Sequence, residues 1–218
     1  MTSRVGRPRA SGAMASSHDA KRAVMEAAAE LFTATGYAAT TTRSIAERAG
    51  LRQATLYYHF PAKEDILCAL LAETVLPSLE VARSMPDAKA DAATKLWALA
   101  YSDIRLLGAG RFNLGALYLL PEVASPGLAS FRAERAELKA AYRALIDQIP
   151  DDAPASTRTD LAFGLVESIA IVRRDEPDLD IDAHAHHGAD GVLRLAGHHT
   201  PTEHLRTAAK ILVSGFAG

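Results

Sequence analysis

Residues 41–63 read TTRSIAERAGLRQATLYYHFPAK, and this stretch decides the fold. It parses as a short helix, a tight turn and a second short helix. Thr41 or Thr42 caps the first helix, because a threonine hydroxyl accepts a backbone N–H that has no partner inside the helix. Ile45, Ala46 and Ala49 then fall on one face at helical spacing. Gly50 stands where that helix must stop, and glycine enters the left-handed conformation of such a turn without steric cost. The second helix is expected from about Arg52 to Phe60, with Leu56 inward and Pro61 as its stop. Small Ala46 where two helices cross, then Gly50, then Leu56 is the skeleton of a helix-turn-helix.

Such a pair can simply be polar and face water, so the outward residues decide what it does. Here they are Arg43, Arg52, Gln53, Thr55, Tyr57, Tyr58 and His59, with Lys63 just beyond. A helix that opens with Arg and Gln suits base edges in the major groove, where Arg pairs with guanine and Gln with adenine. Threonine, tyrosine and lysine around it suit phosphate oxygens, which set register without reading sequence.

The run TTRSIAERAGLRQATLYYHFPAKEDIL resembles the DNA-binding region of the tetracycline-repressor (TetR) family, and the preceding AAAELFTATGYAAT resembles its first helix. The resemblance covers about Lys21 to Leu71. It implies an all-helical protein, with an N-terminal three-helix helix-turn-helix domain followed by a larger helical domain for effector binding and dimerisation. It also implies a homodimeric transcriptional regulator, usually a repressor that a small molecule releases from its double-stranded DNA operator. Matching positions make Arg43, Gln53, Ala54 and Tyr57 the base-facing set, joined by Arg52. Thr41, Thr42, Tyr58, His59 and Lys63 form the phosphate set. Ala54 departs from the glycine or proline often found there.

Whole-chain properties agree with a helical regulator. Alanine and leucine dominate the apolar residues while valine and isoleucine are sparse, which favours helix over strand. No apolar run approaches the roughly twenty residues that span a bilayer, and none follows the basic N-terminus as in a secretory signal. The single cysteine, Cys68, excludes an intrachain disulfide, and a cytoplasmic protein is expected. Net charge is −2, but it is uneven: residues 1–63 carry +5 and residues 64–218 carry −7. The basic third holds the motif, as phosphate binding requires.

Three regions are expected: a disordered basic tail over 1–17, a DNA-binding domain over 18–65, and an effector and dimerisation domain over 66–218. In the tail, Gly6-Arg7-Pro8-Arg9 resembles the centre of an AT-hook, a minor-groove reader, although Val5 displaces Arg4 from its usual place. The alternative is a solvated tail. Helix 1 is expected from His18 to Thr35, with Val24, Ala27, Ala28, Leu31 and Phe32 as its buried stripe. A long helix should run from Lys63 to about Ala82, with Ile66, Leu67, Leu70, Leu71 and Val75 inward. Further helices are expected near 88–107, 111–120, 127–148, 156–174, 183–196 and 202–215, broken by glycines and prolines.

Candidate effector-pocket residues are Trp97, Tyr101, Phe112, Asn113, Tyr118, Phe131, Tyr142 and Phe163, although aromatics at helical spacing also build ordinary core. The helix LAFGLVESIAIVRR, 161–174, is apolar almost all round and has a small-residue notch at Gly164 and Ser168. With one of the last two helices it is the expected dimer interface. His184, His186, His187, His198, His199 and His204 cluster in sequence and suggest an alternative, a metal-sensing regulator. The HAHH spacing splits them between helix faces, so no metal ligand set is assigned. No cofactor is expected. With no nucleophile elbow or phosphate loop, an enzyme is not expected. A small-molecule-binding protein or enzyme with an accessory DNA head is the remaining alternative.

Overall fold

The computed structural model describes residues 17–216, so the tail with Gly6-Arg7-Pro8-Arg9 lies outside the described residues. The apolar stripe predicted for the first helix forms: Val24, Ala27, Ala28 and Phe32 of α1 (Ser17–Ala34) are buried, and Leu31 packs half-buried beside them. Across α1 lie α2 (Thr42–Arg48) and α3 (Gln53–His59), which present Ile45, Ala46 and Leu56 to it. Tyr37 is buried at this junction with its ring edge-on to Phe32.

The fourth helix, α4 (Lys63–Ser84), buries Ile66, Leu67, Leu70, Leu71 and Val75 and continues the same stripe through Leu79 and Ala82. It carries Pro77 in its interior, so the carbonyl of Glu73, four residues back, has no N–H from that position. Around α5 (Ala92–Gly108) the body is assembled. Every residue from Leu96 to Ile104 is buried, as in a helix covered on all sides. Against it pack α4, α6 (Ala129–Ile146), α7 (Ala155–Glu167), α8 (Ile169–Asp175), α9 (Ile181–Leu195) and α10 (Glu203–Val213). No strand occurs among the described residues, and none of their helices is long and apolar enough to cross a membrane.

Three expectations need correction. The helix expected at 111–120 is a 3-10 turn over Leu114–Leu119, succeeded by two shorter ones at Pro121–Ala124 and Pro126–Leu128. Gly110 at φ +86° turns the chain before it, and Pro121 and Pro126, which lack N–H groups, keep the segment from continuing as a helix. The helix expected at 156–174 is two helices meeting at Ser168, whose hydroxyl donates to the Leu165 carbonyl at 2.6 Å. Nor is that segment buried all round: Leu161 and Ile171 are exposed, and Gly164 faces open space. Residues 65 and 66 both lie in the first turn of α4. One continuous cluster of buried side chains extends from Val24 of α1 to Val213 of α10.

Candidate nucleic-acid interface

The motif is built from its caps inward. Thr41 is extended (φ −109°, ψ 155°); its hydroxyl accepts from the Ser44 N–H and the Ser44 hydroxyl accepts from the Thr41 N–H, both at 3.0 Å. This reciprocal box fixes where α2 begins. At the other end Gly50 takes φ +68°, and the Leu51 N–H reaches back to the Ala46 carbonyl at 2.9 Å. Leu56, fully buried, seats α3, so the residues around it face out. Arg52, Gln53 and Ala54 are exposed, Tyr57 and Tyr58 are 44% and 80% exposed, and Thr55 and His59 are half-buried. The predicted DNA-facing set, apart from Lys63, therefore sits on α2, α3 and the turn between them.

Three of these side chains touch. The hydroxyls of Thr42 and Tyr57 lie 2.9 Å apart, joining α2 to α3, and the Gln53 amide donates weakly to both, at 3.4 and 3.5 Å. The long contacts leave the amide able to exchange them for a base edge. Arg43 is held by Glu47 at 2.9 Å, but both are well exposed. Such a solvated pair is weak, so the guanidinium is available to DNA.

Lys63 stands differently from its expected phosphate role. Its ammonium donates to the carbonyls of Tyr37 and Thr40 at 2.8 and 2.9 Å and lies 4.1 Å from the Tyr37 ring centroid. Two of its three N–H groups therefore hold the head together. Sequence reading also missed the charged clamps. Arg48 of α2 grips Glu30 of α1 through both guanidinium nitrogens that face it (2.7–3.1 Å). Arg111 reaches Glu26 at 3.2 Å, linking the body to the head. Glu64, beside Lys63, accepts from the Ser125 hydroxyl in the body. Their partners lie 18, 85 and 61 residues away in sequence, and spacing carries no signal for such contacts.

The eight candidate pocket residues are distributed more widely than a single site. Trp97, Phe131 and Tyr142 are almost wholly buried in the core. Trp97 donates to Asp190 at 2.8 Å, a carboxylate that also receives Arg206. Tyr101 donates to Asp182 at 2.6 Å, and burial pushes its hydroxyl up to about 12. Tyr142 and Ser78 both donate to Asp103, at 2.9 and 2.7 Å, and burial raises that carboxyl to about 6 despite both bonds. Tyr118 and Phe163, with Asp103, Arg135 and Glu167, line a void of about 10 Å³, room for about one water. Asn113 donates to the Ala170 carbonyl at 2.7 Å, while its own oxygen is buried without a partner. Phe112 borders an open cavity of about 430 Å³ between α1, α4 and the end of α5, and Tyr118 also borders one of about 280 Å³ against α7 and α8.

The histidines do not converge. His186 lies edge-on to Trp97 and to His187, and burial lowers its affinity for a proton. Among the described residues no group of three His, Cys, Asp or Glu is placed to hold a metal ion.

This arrangement, a rigid three-helix head displaying a polar recognition helix on a helical body, defines a helix-turn-helix DNA-binding protein. Residues 24–70 match the family model of the bacterial regulatory proteins of the tetR family. Over 95% of this chain and 98% of the other, the structure superposes on that of Mycobacterium smegmatis AmtR with a TM-score of 0.82 at 41% identity. FadR from Bacillus subtilis, solved in complex with stearoyl-CoA, shares the fold at a TM-score of 0.59 and 23% identity, over 83% of this chain and 99% of that one. A 50-residue segment is 40% identical to the uncharacterized HTH-type transcriptional regulator YvkB of Bacillus subtilis (strain 168); it spans 23% of this chain and 26% of that protein. The chain belongs to the tetR family and is a DNA-binding transcriptional regulator.

Proposed function

We propose that the protein acts as a homodimeric repressor on a two-fold symmetric operator and that a small molecule bound in the body releases it. The observation that carries the DNA reading is the seat of α3: buried Leu56 turns Arg52, Gln53 and Tyr57 outward on a helix fixed by the Thr41 box. In this reading Gln53, Arg52, Arg43, Ala54 and Tyr57 face bases, and Thr41, Thr42, Thr55, Tyr58 and His59 lie along phosphates. Two such helices enter successive major grooves about 34 Å apart.

A second copy is placed on the outer face of α7 and α8. Leu161 and Ile171 are exposed there, with the open notch at Gly164 between them. The effector reading rests on α4, which is fastened at Lys63 to the head and at Glu64 to the body. A ligand that favours a different tilt of α4 changes the separation of the two recognition helices, and DNA binding falls by the ligand's preference for that state. The cytoplasm is the proposed location.

The test is selection of bound fragments from the source genome, then footprinting of the selected sites. A protected two-fold site beside a promoter is expected. Asymmetric or sequence-indifferent protection would reject the dimeric repressor.

A further inference from the structure

Polar side chains from four helices and a 3-10 turn meet inside the body. Ser78 of α4 and Tyr142 of α6 donate to opposite oxygens of Asp103 on α5. The hydroxyls of Thr74 on α4 and Tyr118 on the Leu114–Leu119 turn lie 2.5 Å apart. Arg135 of α6 meets both carboxylate oxygens of Glu167 on α7, at 2.6 and 2.5 Å. Thr74, Asp103, Tyr118, Arg135 and Glu167 all line the void of about 10 Å³ between them.

Charge around this void is out of balance. Arg135 and Glu167 neutralise one another, and the guanidinium also stands over the Phe163 ring, 5.1 Å from its centroid. Asp103 is 3% exposed, and among the described residues it has no ion pair. Only two neutral hydroxyls reach it, and the charge that acts on it is a second carboxylate, Glu167. Each of its oxygens accepts one bond and has room for another. A buried carboxylate without a cation is costly to a core, and an uncharged residue of the same size would avoid that cost.

The void has an outward side. Tyr118 and Glu167 also line the groove of about 280 Å³ against α7 and α8, where Ala116, Leu119, Ala170 and Ile171 make an apolar wall. Tyr118 and Glu167 thus stand between a space the size of one water and one that takes a short hydrocarbon chain. A primary ammonium is about as large as a water; a quaternary one is much larger.

We infer that void and groove together form a binding site for a primary alkylamine, its ammonium beside Asp103 and its chain in the groove. Tyr118 moves off Thr74 to join the two spaces. The three N–H donors of the head then meet Asp103 and the hydroxyls of Thr74 and Tyr118. The groove opens on the face of α7 and α8 where the second copy is placed, so the chain lies at the dimer seam. The site gives the effector of the reading above a chemical class, and its regulatory consequence rests on that reading; its binding does not.

The experiment is calorimetric titration of the full-length protein at pH 7.5 with hexylamine, 1-hexanol, hexanoate and hexyltrimethylammonium. Hexylamine is expected to bind at least about tenfold more tightly than the other three, a difference that one close ion pair can supply. The quaternary ion has the same charge and fails on size, so this comparison needs no variant. Asp103→Asn, which keeps size and shape, should bring hexylamine to the level of hexanol and leave hexanol unchanged. Ala116→Phe, which fills the groove, should weaken both. Four results would overturn the assignment: no preference for hexylamine over the other three, a preference that survives Asp103→Asn, unchanged binding in Ala116→Phe, or tightest binding by hexanoate. Operator affinity is then measured with hexylamine present. Asp103-dependent binding that leaves it unchanged would uphold the site and reject the effector reading.

Discussion

The ammonium of Lys63, the first residue of α4, donates to the carbonyl of Thr40 at 2.9 Å, one residue before the cap of α2. With the parallel bond to Tyr37, this fixes the recognition unit to the helix that enters the body. Hydrogen bonds from a charged donor contribute about 1.5–3 kcal/mol each when measured by removal. Lys63→Met is therefore expected to destabilise the protein by a few kcal/mol in denaturant unfolding, and to weaken all DNA sequences alike. Its salt dependence distinguishes the roles. An inward lysine leaves the slope of log affinity against log salt unchanged, whereas loss of a phosphate contact lowers it by about one.

Gln53→Ala should behave in the opposite way. Its amide is the group that can trade two long contacts, to Thr42 and Tyr57, for a base edge. Binding to the preferred operator should fall by about 1–3 kcal/mol, with relaxed choice at one base pair of each half-site. Random-sequence selection with the variant reads this directly; a uniform loss across sequences would remove Gln53 from the base-facing set.

Gly50→Ala isolates backbone strain. A Cβ there meets nothing within 4 Å, so only the φ of +68° opposes it. The left-handed conformation costs an L-residue about 1–2 kcal/mol, and thermal or urea unfolding should show a loss of that size.

The buried Asp103 gives stability a pH dependence of defined sign. Its carboxyl titrates near 3.8 in the unfolded chain and is pushed up to about 6 in the fold. Between those values the native state holds the proton more often, so this residue's contribution falls as pH rises through the window and is level above about 6. The full change is on the order of 2–3 kcal/mol. Asp103→Asn removes the titration. Unfolding of both proteins at pH 4.5 and 7.5 should show the wild type gaining relative to the variant at the lower pH.

Leu161→Asp and Ile171→Asp place charge on the outer face of α7 and α8. Both positions are largely exposed in one chain, so folding should survive. Sedimentation should show monomers, and operator affinity should fall about a hundredfold or more as the two heads bind independently. Dimers of unchanged mass would move the interface elsewhere.

The head was legible because its determinants are local. Thr41, Gly50 and Pro61 act within a few residues of themselves, and Leu56 needs only helical spacing to point inward. In the body the same logic placed helices but misjudged 111–120 and 156–174. There Gly110, Pro121, Pro126 and the Ser168 hydroxyl compete with helix propensity, and packing against α5 decides the outcome. Aromatics at helical spacing do not separate pocket from core in a sequence. Trp97 and Tyr142 look like pocket residues in sequence, yet each is buried with its polar atom satisfied by an aspartate far away, Asp190 and Asp103.

The unbroken course of α4 limits how such a protein can be taken apart or recombined. Ile66, Leu67 and Leu70 belong to the same continuous core as Val24 and Leu56, so a fragment ending at residue 65 would expose the apolar underside of α1 to water. Transplanting this recognition unit onto another body to redirect that body's operator choice must therefore carry the first turns of α4. It must also carry a match for Ser125 opposite Glu64. A shorter graft would bring Gln53 and Arg52 to the DNA on a head that no longer holds its own shape.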